Sequence, residues 1–128
     1  MLTTALILAA IAALIHVYIF VLESLRWTAP ATRRTFGLSE AQALATKEMA
    51  FNQGFYNLFL AVVTAVGIVL VTAGHESVGV ALLLAGCGSM VLAGLVLLIS
   101  SPKKARAAFV QLFIPLFAIV EAVLWLVF

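Results

Sequence analysis

The stretch MAFNQGFYN, Met49 to Asn57, carries Asn52, Gln53, Tyr56 and Asn57 in an otherwise apolar run. An earlier run, HVYIFVLESLRW, sets His16, Phe20, Glu23 and Trp27 at i, i+4, i+7 and i+11, one face of a helix. Gln111 is a further polar residue in apolar surroundings, on the same helical face as Pro115. A carboxyl gathered with amides and a phenol supports two kinds of chemistry. It can hold the polar end of an amphipathic molecule, with His16, Trp27, Asn52, Gln53, Asn57 and Gln111 as ligand-binding contacts. It can also move a proton, with Glu23 as the transferring catalytic group and Tyr56 or Asn52 stabilising developing charge, as in an isomerase or epimerase. Set against both is a structural network of interhelical hydrogen bonds, worth about 0.6–2 kcal/mol each.

The elements that must position these residues follow from composition. The chain is 66% hydrophobic and 9% charged, against about 25% charged in an ordinary soluble domain, and reads as a membrane protein. A spanning helix needs roughly 20 apolar residues, because the hydrocarbon core is ~30 Å thick. Four spans are expected, at Leu2–Leu25, Ala50–Ala73, Ser77–Ile99 and Ala107–Phe128, forming one domain over residues 1–128. The expected fold class is all-α, a polytopic bundle of four transmembrane helices. The first apolar run lacks a basic lead-in and outlasts the core of a signal peptide, so it is expected to remain attached.

All seven basic residues flank two connections: Arg26, Arg33, Arg34 and Lys47 the first, Lys103, Lys104 and Arg106 the third. The positive-inside rule then places those connections in the cytoplasm and both termini outside, in a multi-pass protein of a bacterial inner or plasma membrane. Glu23, Asn52, Gln53, Tyr56, Asn57 and Gln111 come to one depth near the cytoplasmic face. Exposed to lipid, each would lose water without a replacement partner at roughly 1–3 kcal/mol, so they are expected to face inward around a polar chamber. Glu48 is expected to pair with Lys47 or Arg26. His16, about 10 Å deeper than Glu23 at ~1.5 Å per residue, reads as a hydrogen-bonded core histidine, with a proton relay as the sharper alternative. Glu121 reads as a carboxyl bonded to a neighbouring helix or as a second proton acceptor.

In the first connection Pro30 and Gly37 break structure, and Ser39 with Gln42 makes a capping-box pattern. The helix that starts there is expected to run on into the second span. Small residues recur at Ala81, Ala85, Ser89 and Ala93, with Gly86 and Gly94 beside them, and at Ala5, Ala9, Ala12 and Ala13, surfaces for close packing within the monomer or in a homo-oligomer. The cations are few and next to lipid, which points to membrane lipids as partners and not to nucleic acid. No phosphate-binding glycine loop and no serine beside a base is present. His75 lies in the outer connection and Cys87 is the only cysteine, so no metal or haem ligand set is formed and no cofactor is expected.

The HVYIFVLESLRW run, the TRRTFGLS connection and the NQGFYN start of the second span resemble the small four-span bacterial membrane proteins catalogued as domain of unknown function 1304. The resemblance covers essentially the whole chain and is specific in its first half. In the last span QLFIP stands where a Gln-Gly-x-Pro-like stretch is expected. Members of that family are sometimes labelled epimerases. The resemblance implies the four-helix fold and a signature centred on His16, Glu23, Trp27, Asn52, Gln53, Tyr56 and Asn57. Two other readings stand beside a binding pocket: a small proton-coupled exporter, and a structural or partner-binding membrane subunit. The one-sided distribution of Lys and Arg departs from the balanced loops of small multidrug-resistance transporters that insert both ways.

Overall fold

Four helices are long and apolar enough to cross a membrane in the computed structural model, which describes residues 1–128: Leu2–Leu25, Lys47–Thr72, Glu76–Ser100 and Pro102–Val127. The first is α-helical over Leu2–Phe20 (α1) and closes in a π-helical turn, Val21–Leu25; two short helices, α2 (Pro30–Phe36) and α3 (Glu40–Ala45), follow. The remaining spans are α4 (Lys47–Thr72), α5 (Glu76–Ser100) and α6 (Ala105–Val127), the last entered through a 3₁₀ turn at Pro102–Lys104. Helix α1 packs on α4 and α6, and α5 packs on the same two, while the diagonal pairs barely touch. The chain therefore runs around a square, up and down in turn. All seven cations fall at one end of it.

The distribution of side chains is the reverse of a soluble bundle. Leu14, Val69, Leu92 and Phe117 point outward, whereas the centre is built from Ala5, Ala9, Leu83, Cys87, Ala118 and Ala122. Between helices surrounded by lipid the hydrophobic effect supplies no drive, so association rests on close backbone packing, which small residues permit. Gly67 of α4 and Gly79 of α5 show how close: a methyl on Gly67 would lie 2.8 Å from the Gly79 carbonyl oxygen.

The connection between α1 and α4 differs from the expectation in two places. Pro30 and Gly37 do not merely break structure; they bracket α2, Pro30 opening it and Gly37 closing it in the left-handed region at φ 66°. Leu38 N–H to the Arg33 carbonyl (2.9 Å) and Gly37 N–H to the Arg34 carbonyl (3.4 Å) complete a Schellman end. The capping box at Ser39 and Gln42 forms with both of its bonds. The helix it starts does not run on unbroken, however: Thr46 leaves the helical region at φ −107°, ψ 8°, and its hydroxyl bonds back to the Gln42 carbonyl at 2.8 Å. On α5, the four-residue stripe Ala81, Ala85, Ser89 and Ala93 faces outward, while the expected Gly86 and Gly94, joined by Gly79, carry the packing within the bundle.

Candidate functional site

The site grows from the π turn. A π turn holds more residues per turn than an α-helix and recurs where a helix must present a side chain out of register. Here it brings Glu23 and Ser24 against Gly54 of α4: a methyl on Gly54 would lie 2.9 Å from the Ser24 nitrogen and 3.1 Å from Glu23 Cβ. Because the backbones are so close, short side chains can bridge them. Ser24 Oγ donates to the Phe51 carbonyl at 2.7 Å. Asn57 Nδ2 donates to Glu23 Oε2 at 2.9 Å and to the Gln53 carbonyl at 3.1 Å. Phe20 meets Phe55 edge to face at 5.1 Å and flanks the junction.

Glu23, Leu97 and Gln111 form a wall shared by two cavities. One, of about 410 Å³, lies where α1 and α6 meet beneath α2, with Ile15, Tyr18, Ile19 and Val110 along its apolar side and Arg34 and Arg106 at its basic end. The other, of about 340 Å³, reaches Gln53 and Asn57 and includes Trp27, Leu38 and Lys104. Trp27 is fixed there: its indole N–H donates to Thr46 Oγ1 at 3.1 Å and its ring rests on Phe36 at 5.0 Å. On α6, Pro115 has no N–H to give, so the Gln111 carbonyl lacks its usual helical partner next to the shared wall.

The structure thus brings together Glu23, Asn57, Trp27 and Gln111, with Gln53 exposed at the rim of the smaller cavity and joined to Asn57 through its backbone carbonyl. It does not bring in Tyr56 or Asn52, which are exposed on α4, Tyr56 at 63%. The inward-facing expectation for those two is corrected by the helix phase. Residues Ala50, Gly54, Asn57 and Ala61 form the buried seam, and at about 100° per residue Asn52 and Tyr56 fall on the far side from it. Tyr56 is therefore in no position to assist chemistry at Glu23. His16 is fully buried and lines neither cavity; its Nδ1 donates to the Ala12 carbonyl at 2.9 Å and its Nε2 has no partner. Glu121 lies 3.8 Å from the amino group of Met1, the sole ion pair, so Glu48 bridges neither Lys47 nor Arg26.

Arg34, Arg106 and Lys104 were not anticipated at the site. Their signal lies in the basic clusters, which in the sequence mark topology and contact with anionic lipid headgroups without marking a cavity.

A bundle of four apolar, lipid-length helices with small residues inside and large ones outside defines a multi-pass helical membrane protein. The chain belongs to the family described as Protein of unknown function (DUF1304), which it matches over residues 10–123. No curated protein and no solved structure matches it.

Proposed function

We propose that the protein binds a lipid or small amphipathic molecule at the basic end of the bundle, with Glu23, Asn57 and Gln111 as polar contacts. The observation that carries this reading is the Glu23 carboxyl, tied to Asn57 and set in the wall between two cavities that combine apolar and polar linings. Sites of this size with few convergent polar groups are where small ligands bind. The clustering of all seven cations at this end supports a cytoplasmic position for it, in an inner or plasma membrane with both termini outside. Were a reaction to take place, Glu23 is the group to transfer a proton, without help from Tyr56. Export of cationic substrates is the poorer reading, because Arg34, Arg106 and Lys104 surround the only acid at the site.

The test is purification in mild detergent followed by mass spectrometry of what accompanies the protein, for the wild type and for Glu23→Gln/Asn57→Ala. A small amphiphile held by the wild type and lost from the variant is expected. Equal and empty spectra would retire the proposal.

A further inference from the structure

We infer that the larger cavity takes a lipid with an anionic phosphate headgroup, the phosphate between Arg34 and Arg106 and an acyl chain lying in the cleft between α1 and α6. The inference rests on the amphiphile reading above and names the ligand's chemical class.

Three features carry it. Arg34 and Arg106 come from different helices, α2 and α6, to line one cavity, and neither has a carboxylate within 4 Å, since the sole ion pair joins Met1 and Glu121. Glu23, the one acid on the lining, is engaged by Asn57. Two arginines lining one open cavity without counter-ions carry planar donor forks suited to the terminal oxygens of a phosphate. A zwitterionic or cationic head would place a positive charge beside them.

The apolar portion is directed along the bundle. Ile15 and Ile19 of α1 and Leu22 of the π turn that closes it follow one another along the first span, roughly 10 Å from end to end at ~1.5 Å per residue. Tyr18 on α1 and Val110 on α6 belong to the same lining and are 61% and 55% exposed. The cavity therefore opens sideways, toward the surroundings of the apolar helices, as well as toward the end of the bundle. A chain can enter that opening from the bilayer while its head stays at the level of the arginines.

The experiment uses the full chain in nanodiscs of phosphatidylcholine containing a minor fraction of phosphatidic acid, with retained lipid counted by native mass spectrometry after release into detergent. Phosphatidic acid is expected to be retained over its share of the bilayer. Arg34→Gln/Arg106→Gln should lower that retention on the order of tenfold or more, from about 1 kcal/mol for each cation facing an anionic head. Lys47→Gln/Lys103→Gln removes the same charge outside the cavity and should keep it. Should the double arginine variant fail to fold, the two single variants carry the same comparison at roughly fivefold each.

Equal retention of both lipids, indifferent to the arginine variants, overturns the headgroup assignment and leaves the amphiphile reading standing. No lipid retained by the wild type overturns both. Equal losses in the arginine and lysine variants mean general surface attraction and overturn the site. Displacement of bound phosphatidic acid by inorganic phosphate as readily as by dihexanoyl phosphatidic acid assigns the cavity to free phosphate and overturns the acyl cleft.

Discussion

Asn57 donates to the Glu23 carboxyl from 34 positions further along the sequence, across a 2.9 Å gap, and this bond links the acid of the first span to a second span. Its strength is measurable by a double-mutant cycle with Glu23→Leu and Asn57→Leu. A coupling of about 0.6–2 kcal/mol is expected from reversible unfolding in mixed detergent. Additive effects of the two substitutions would mean the contact contributes nothing to stability.

Gly54 should be intolerant of even one methyl. Gly54→Ala would set a carbon 2.9 Å from the Ser24 backbone nitrogen, which cannot give way without moving the π turn. Loss of stability of about 1–3 kcal/mol is expected, the usual range for overpacking, together with loss of any retained amphiphile. Gly88→Ala is the control, because nothing lies within 4 Å of its new methyl. Thermal melts of the two variants that coincide would remove the close approach from the account.

Trp27 offers a built-in reporter. In a Trp125→Phe chain it is the sole tryptophan, and it lines the smaller cavity while bonded to Thr46. Its emission is expected to change when an amphiphile is added, and Thr46→Val should shift the starting spectrum to the red and cost about 0.5–1.5 kcal/mol. An emission spectrum indifferent to Thr46→Val would show that the indole is not held there in solution.

His16 presents the opposite case, a buried nitrogen with no partner. His16→Leu keeps roughly the volume and removes the unpaired atom, so a change in stability smaller than about 1.5 kcal/mol is expected. His16→Ala should cost more, about 2–4 kcal/mol, through the void it leaves. If His16→Leu unfolds the bundle, the imidazole has a polar partner under native conditions.

Topology is open to labelling. With Cys87 buried, Thr35→Cys and Ser77→Cys should react with a membrane-impermeant maleimide from opposite faces of a sealed vesicle, Thr35→Cys from the cytoplasmic one. Reaction of both from the same face would contradict the up-and-down path of the chain.

Much of this was readable in the residues themselves. Four apolar runs separated by charged or glycine-containing connections leave few alternatives in a bilayer, and Glu23 stood out as an acid where acids are expensive. The capping box at Ser39 was legible because its two partners are three residues apart. The phase of α4 was not: four polar residues in six span too wide an arc for all to reach one seam, and Gly54, not the amides, marks where the neighbouring helix comes closest. The π turn left no mark, since VLESL is compatible with an ordinary helix. α2 did leave one, Pro30 at its start and Gly37 at its end, but in the sequence a pair of breakers seven residues apart does not distinguish two interruptions from a bracket. Arg34 reaches the cavity because the C-terminal end of α2, Arg34 to Phe36, lines it together with α1 and α6.

The alanine-rich centre has a consequence for how the chain can change. In a soluble core the injury comes from shrinking a residue; at Ala5, Ala9, Ala118 and Ala122 almost nothing is left to shrink, and the harm must come from growth. A saturation library should therefore record an upper limit on side-chain bulk along these inner positions, glycine and serine surviving where valine and leucine fail. The outer positions, such as Leu14 and Phe117, should accept any hydrocarbon and refuse only charge.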